Sequence, residues 1–300
     1  MSATPHLVSI IGPTATGKSD LAVFLAEQFN GEVVSADSRQ VFKGLDIGSG
    51  KITPEEMHSI PHHLLDVEDV RNEFTVAHFA KAARAAIVDI QSRGKLPILC
   101  GGSGFWVDTV TRGLVIPQVP PNETLRKVLH SKTNDALYNL LLEKDPVRAA
   151  TIDRHNPQRL VRALEIANAL GSVPDKTYIA PPYPVLTIGI TASKEIIDER
   201  IARRLDARIK EGMIDEVRKL MDAGVPSSRL YALGLEYRHV SMYLDGKYLS
   251  EKAMRDALLM DIVHFAKRQM TWFKRHKDIV WIGIKEFDKA QSAVAEWLNK

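Results

Sequence analysis

The sequence predicts an α/β fold: a parallel sheet flanked by helices, interrupted by a mostly helical insertion. Three observations lead there. Short β-branched runs alternate with stretches of helical period, as in βαβ units. Those runs end in loops rich in Gly, Ser and Asp, where ligands of parallel sheets collect. Two proline clusters, IPQVPP (116–121) and APPYP (180–184), bracket a segment with helical periods and no convincing strand.

LVSII (7–11) is a buried parallel strand by its short β-branched apolar run, and it stops at GPTATGKS, Gly12 to Ser19. SDLAVFLAEQF (19–29) has helical period, so strand, glycine loop and helix follow in the order of a phosphate-binding loop, and the sheet is read as P-loop NTPase-like. EVVSA (32–36) is a second strand, a helix capped by Thr75 runs to about residue 93, and LPILC (96–100) is a third strand ending in the turn GGSG. VLTIGI (185–190) restores the sheet, followed by helices over about 194–211, 213–223 and 250–276, a strand at 278–284 and a terminal helix. The expected organisation is a core first part over 1–115, the helical insertion over 116–182, and a core second part over 183–300 that carries a basic helix.

Composition narrows the classes. With 45% hydrophobic and 26% charged residues among 300, the chain is ordinary globular material, and no apolar run is long enough for a membrane helix. The N-terminus has no basic region ahead of an apolar stretch, so no secretory signal is expected. A lone cysteine, Cys100, permits no internal disulfide and points to the cytoplasm. A net charge of +3 decides little, but HFAKRQMTWFKRHK (264–277) holds five Lys/Arg and no acid. Such a face either follows a phosphate backbone or is simply solvated.

The glycine loop carries the first chemistry. Backbone N–H groups of Gly12, Pro13, Thr14, Ala15, Thr16 and Gly17, proline excepted, can cradle a phosphate chain at a helix N-terminus. Lys18 adds a charge and the Ser19 hydroxyl can ligate Mg²⁺. Asp37, in SADSRQVF (35–42) after the second strand, can bind Mg²⁺, take a proton from a nucleophile, or cap a turn. On IDERIARRLDARIKEG (197–212), Ile197, Ile201, Leu205 and Ile209 make an apolar face, while Arg200, Arg204 and Arg208 make a second cationic row or a solvated one. In NPQRLVRALE (156–165), Leu160, Leu164 and Ala167 look inward and leave Gln158, Arg159 and Arg162 outward. His58, His62 and His63 lack a tight acidic or cysteine partner, so loop packing and polar contacts are expected rather than zinc.

Taken together, GPTATGKS, SADSRQVFKGLDIGSGK, IPHHLLD, GGSGFW, NPQRLVRALE and FAKRQMTWFK resemble, in order and over residues 12 to about 275, the tRNA dimethylallyltransferases. The resemblance implies transfer of a dimethylallyl group from dimethylallyl diphosphate to the N6 amine of the adenosine 3′-adjacent to the anticodon. It implies Mg²⁺ as cofactor, held through Ser19, with the loop from Gly12 to Ser19 gripping the diphosphate. It makes Asp37 the base, Lys18 and Ser19 stabilisers of the leaving group, and Arg204, with Arg200 as rival, the arginine on the diphosphate. By the same resemblance Asp37, Ser38, Arg39, Gln40, Ser103, Arg126, Gln158, Arg159, Leu160, Val161 and Arg162 contact the tRNA anticodon stem-loop, helped by Lys267, Arg268, Lys274 and Arg275. Phe42 and Trp106 stand where the family usually has tyrosine. Each is expected to keep an aromatic face for stacking and to lose a phenol.

Three rival functions fit part of the same sequence. A small-molecule P-loop kinase leaves the basic helix idle. An adenylate (cytokinin-type) isopentenyltransferase shares the catalytic core but needs no tRNA surface. A non-catalytic tRNA-binding protein has no use for intact Lys18, Ser19 and Asp37. The expected assembly is a monomer without a membrane partner.

Overall fold

The computed structural model describes residues 5–299. Residues 1–4, on which part of the N-terminal reading rests, lie outside them. Leu7–Ile11 (β1) leads through the glycine loop into Lys18–Gln28 (α1), then Gly31–Ser35 (β2) and the two-residue His62–His63 (β3). Val76–Ser92 (α2), Leu96–Gly101 (β4) and Gly104–Thr111 (α3) follow. Next come the helices Glu123–His130 (α4), Asn134–Lys144 (α5), Pro146–Ala149 (α6) and Pro157–Leu170 (α7). Val185–Thr191 (β5) returns to the sheet, followed by Lys194–Lys210 (α8), Met213–Asp222 (α9), Ser227–Leu233 (α10), Leu235–Leu244 (α11) and Glu251–Phe273 (α12). Val280–Gly283 (β6) and Phe287–Leu298 (α13) close the described chain.

The six strands form one sheet in the order β3-β2-β4-β1-β5-β6, every pairing parallel. β1 sits between β4 and β5, both of which come much later in the chain, so the glycine loop leaves the middle of the sheet's carboxyl edge. The ends of β2 and β4 arrive beside it: the Ala36 N–H donates to the Cys100 carbonyl at 2.8 Å, one step past the β2–β4 ladder. Burial on both faces explains why β1 and β4 read as almost wholly apolar runs, with Ser9 the polar exception in β1. One face packs Leu7, Ile11, Leu99, Phe79, Ile87 and Phe273; the other packs Val8, Ile10, Leu21, Leu25, Ile188 and Val294.

The chain divides into two compact units, Met1–Gly113 with Ala180–Lys300, and Leu114–Ile179. The second has its own core of Leu129, Leu137, Leu141, Leu160 and Leu164. Asn122, Thr133 and Asn156 cap three of its helices, each side chain accepting a backbone N–H of the first turn.

Two features depart from the sequence reading. His62 and His63 form an edge strand against Val33 and Val34, too short to leave a period in the sequence. The residues between α9 and α12 form two helices broken at Gly234, whose φ of 78° lies in the left-handed region that glycine tolerates best.

Candidate active site

The loop after β1 is shaped by close backbone approach. Gly12 has φ 148°, and a Cβ there would stand 2.7 Å from the Ile190 carbonyl, so no side chain fits. The Thr16 hydroxyl donates to the Pro13 carbonyl at 2.9 Å and closes the loop on itself. Gly17, with φ 86°, turns the chain into α1, and Ala15 holds a left-handed φ of 65° without being glycine. That conformation costs about 1–3 kcal/mol and persists because its surroundings fix it. Arg200 supplies part of that fixing: its Nε donates to the Ala15 carbonyl at 2.6 Å.

A cleft of about 290 Å³ opens over this loop. Thr14, Ala15, Gly17, Lys18, Ser19, Asp37, Gln40, Cys100, Arg200, Arg204 and Arg208 are among its lining residues. Lys18 Nζ donates to the Pro13 carbonyl at 2.8 Å, folded back over the loop. Burial lowers its ammonium to about 8, against the smaller upward pull of Cys100 and Asp37. Burial also pushes the Cys100 thiol up to about 12, so the thiol stays protonated at neutral pH. Three of the arginines of α8 line the cleft and do three jobs. Arg200 holds the loop, and Arg208 donates to the Gly48 carbonyl at 3.3 Å and pairs with Glu236. Arg204 lies between them on the same helix and hydrogen-bonds to no described residue. Desolvation at the cleft, then the Arg208 charge, lowers its guanidinium to about 10, still a cation at neutral pH.

Asp37 stands on the β2 side of the cleft. Its Oδ1 accepts the N–H groups of Arg39 at 2.8 Å and Gln40 at 3.4 Å, while its Oδ2 has no partner among the described residues. The turn-capping and functional readings of Asp37 therefore hold together: one oxygen fixes the turn and the other is left over. Gln40 spans from the Ser35 hydroxyl to the Gly50 carbonyl. The Ser38 N–H donates to the Ser103 hydroxyl at 3.3 Å, which ties the Asp37 turn to the GGSG turn. Arg39 reaches the Ser38 carbonyl and hydroxyl.

The donor set suits a hard divalent cation. The Ser19 hydroxyl makes no hydrogen bond to a described residue, and the carboxylates of Asp20 and Asp37 line the same cleft. Mg²⁺ needs only one or two such protein oxygens when substrate phosphates and water supply the rest. Among the described residues, no group of three or more His, Cys, Asp or Glu is placed to hold a metal by itself. The three loop histidines go elsewhere: His63 contacts Glu32 at 2.7 Å, His62 the Ile60 carbonyl at 2.8 Å, and His58 contacts Glu27 at 3.1 Å.

Several expected residues land differently. Phe42 and Trp106 present no stacking face: they are 3% and 8% exposed, with Arg229 over the Phe42 ring and Trp106 stacked on Phe79 at 4.5 Å. The apolar sheet face claims both rings. The exposed aromatic of GGSGFW is Phe105, edge-on to Trp272 at 6.1 Å, and Trp272 in turn carries the Arg275 guanidinium at 3.8 Å from its centroid. In the helical unit, the Leu160 and Val161 side chains are buried, so only their backbone can meet a ligand. Arg126 and Arg162 both pair at 2.7 Å with Glu165, which is 2% exposed. Burial pushes that carboxyl up, but hydrogen bonds from Arg126, the Asn122 N–H and Arg162 outweigh it and hold the group below its ordinary range. Gln158 and Arg159 are exposed. Lys267, Arg268, Lys274 and Arg275 are exposed as well, on or just after α12.

Sequence reasoning missed three structural parts of the site. Gln269 of α12 is buried and bonded to both Thr14 and Gly102. Its signal is a polar residue in the inward stripe Ile262, Ala266, Gln269, Phe273. The Glu216 carboxylate accepts N–H groups of Asp46, Ile47 and Gly48, and Tyr237 accepts that of Ser49, so the loop forming one cleft wall is pinned from α9 and α11. A lone acid on an amphipathic helix gives no sequence hint of that.

Comparison with known proteins places the chain in a family. The family described as IPP transferase matches residues 40–276. A tRNA dimethylallyltransferase of Halalkalibacterium halodurans is 39% identical over 292 residues, covering 94% of this chain and 92% of its own. One from Roseiflexus castenholzii is 40% identical, covering 96% of each. The solved tRNA isopentenylpyrophosphate transferase of Bacillus halodurans superposes with a TM-score of 0.75 at 37% identity, over 98% of this chain and 97% of that one. A eukaryotic dimethylallyltransferase solved acting on tRNA shares the fold with a TM-score of 0.81 at 24% identity, over 98% of this chain and 77% of that one. With the family model matched over residues 40–276 and relatives near 40% identical over almost its whole length, this chain belongs to the IPP transferase family.

Proposed function

We propose that the protein transfers a dimethylallyl group from dimethylallyl diphosphate to the N6 amine of the adenosine 3′-adjacent to the anticodon in tRNA, releasing diphosphate. The single observation that carries the reading is one cleft holding a phosphate-binding loop, an uncommitted arginine and an aspartate with a spare oxygen. The names of the relatives, all tRNA dimethylallyltransferases, support the same substrate pair.

Adenine N6 is a weak nucleophile because its lone pair is delocalised into the ring. The reaction therefore leans on stabilising the leaving group and on removing the amine proton. The N–H groups from Ala15 to Ser19 take the diphosphate oxygens at the N-terminus of α1, with Thr14 close by. Lys18 and Arg204 add the two charges. As the N6–C1 bond forms, the C1–O bond breaks and its electron pair leaves on the diphosphate. The amine proton passes to Asp37, whose Oδ1 stays held by the Arg39 and Gln40 N–H groups. Ser19 is the residue that would hold Mg²⁺, and the ion would supply further neutralisation of the leaving charge. Ser38, Arg39, Gln40 and Ser103 line the approach of the nucleotide. Exposed Gln158, Arg159, Lys267, Arg268, Lys274 and Arg275 grip the RNA. The chain is read as a monomer of the cytoplasm; among the described residues no helix is long and apolar enough to cross a membrane.

The exposed basic face of α12 favours tRNA over a free adenylate as acceptor. The protein with prenyl-labelled dimethylallyl diphosphate is offered unmodified tRNA or AMP, and in parallel ATP with candidate phosphoryl acceptors. Label entering tRNA is expected. Label entering AMP alone, or phosphoryl transfer without prenylation, contradicts the proposal.

A further inference from the structure

Gln269 lies where three distant parts of the chain meet. Its Oε1 accepts the Thr14 N–H of the phosphate loop at 2.9 Å, and its Nε2 donates to the Gly102 carbonyl of the GGSG turn at 2.9 Å. It is 7% exposed. A backbone N–H can only donate and a carbonyl can only accept, so the amide has one possible orientation. A Cβ at Gly102 would overlap the Gln269 amide, so glycine is required there for the contact to exist. From Gly102 the chain passes to Ser103, whose hydroxyl takes the Ser38 N–H, and Ser38 follows Asp37. Three hydrogen bonds and two steps along the chain thus connect the phosphate loop to the aspartate on the opposite side of the cleft.

We propose that Gln269 is a positioning residue for the reaction: it sets the spacing between the leaving-group grip and the proton acceptor, from the buried face of the helix that exposes the basic tract. The inference rests on the diphosphate reading of the cleft. Removing the amide leaves the Thr14 N–H and the Gly102 carbonyl unpaired in a buried place, and both turns shift to find new partners. Glutamate offers a sharper probe than deletion. A protonated carboxylic acid reproduces both bonds, its C=O accepting from Thr14 and its O–H donating to Gly102. The ionised form instead sets a negative charge against the Gly102 carbonyl and beside the diphosphate. A group so buried is protonated more readily than in water.

The test is the affinity for inorganic pyrophosphate with Mg²⁺, measured by calorimetry at pH 6 and pH 8 for wild type, Q269M and Q269E, alongside single-turnover prenyl transfer to tRNA. Q269M is expected to bind pyrophosphate about tenfold more weakly at both pH values, with its affinity for tRNA unchanged. Q269E is expected to approach wild type at pH 6 and to fall away by tenfold or more, as an order of magnitude, at pH 8. A role confined to packing moves neither the pyrophosphate affinity nor the pH ratio. If Q269M does not fold, the Q269E ratio decides alone. A Q269E curve parallel to wild type across pH overturns the inference and leaves the function standing. Wild-type protein that binds no pyrophosphate overturns the diphosphate reading, and this inference with it.

Discussion

On α8 of the sheet unit, Arg200 and Arg208 are committed to backbone oxygens while Arg204 between them is left facing the cleft. In the helical unit, Arg126 and Arg162 both close on a buried carboxylate, Glu165. The four committed side chains build walls, and the remaining one is available to a ligand. Arginine in a motif is therefore no evidence of ligand binding until its existing partners are counted. A guanidinium already paired with a buried acid gives up that pair, and strands the acid, if it turns to RNA.

Five measurements put that contrast at risk. Asp37→Ala, which removes the proposed base, is expected to lower single-turnover prenyl transfer by about 10²–10⁴ at saturating substrates. Near-wild-type rates would remove Asp37 from the chemistry. Glu165→Gln strips the carboxylate from two arginines and is expected to destabilise the helical unit by about 3–5 kcal/mol, read by thermal melting or limited proteolysis. Unchanged stability with tighter tRNA binding would mean that Arg126 and Arg162 are held in reserve for RNA. Arg204→Ala is expected to cost about 10² in transfer rate, as loss of one preorganised charge on a leaving group does. In Arg200→Ala the loss should show first as a weakened phosphate loop, with a raised KM for dimethylallyl diphosphate.

The fourth measurement is pH dependence. With its ammonium lowered to about 8, Lys18 is charged in the free protein below that value and neutral above it. Only the charged form attracts the diphosphate, so above pH 8 binding must first take up a proton. Pyrophosphate affinity is expected to be flat below pH 8 and to fall by up to about tenfold per pH unit above it. Lys18→Met should abolish the break in the curve. The smallest effect is expected at Arg159, exposed on α7: Arg159→Ala should weaken tRNA binding a few-fold and reduce its salt slope by about one.

Most of the sheet was legible because burial on both faces writes itself as continuous apolar runs. β1, β4 and β5 follow those runs closely, and Thr75 caps α2 as its position suggests, with His78 completing a capping box. The edge strand at His62–His63 left no trace, since two residues carry no period. α10 and α11 were obscured by short length and by the glycine break between them. At the site, the glycine loop, Asp37 and three α8 arginines could be picked out from their residue types and spacing, and they do line one cleft. The committed states of Arg126 and Arg162 could not, because each depends on an acid brought close only by folding. Gln269 was hidden for a related reason: the basic residues around it marked the helix as a surface, and its own inward phase was overlooked. Phe42 and Trp106 show the converse error, since an aromatic in a motif was read as a stacking face where the core needed a ring.

The central claim is that this phosphate loop holds a group to be discarded. It is tested most directly with dimethylallyl diphosphate carrying one label in the prenyl chain and another in the diphosphate, incubated with an unmodified anticodon stem-loop. Prenyl label is expected to enter the RNA, with an equal amount of diphosphate label appearing as free inorganic diphosphate. Phosphorus label in the RNA, or diphosphate release without prenyl label in the RNA, would contradict it.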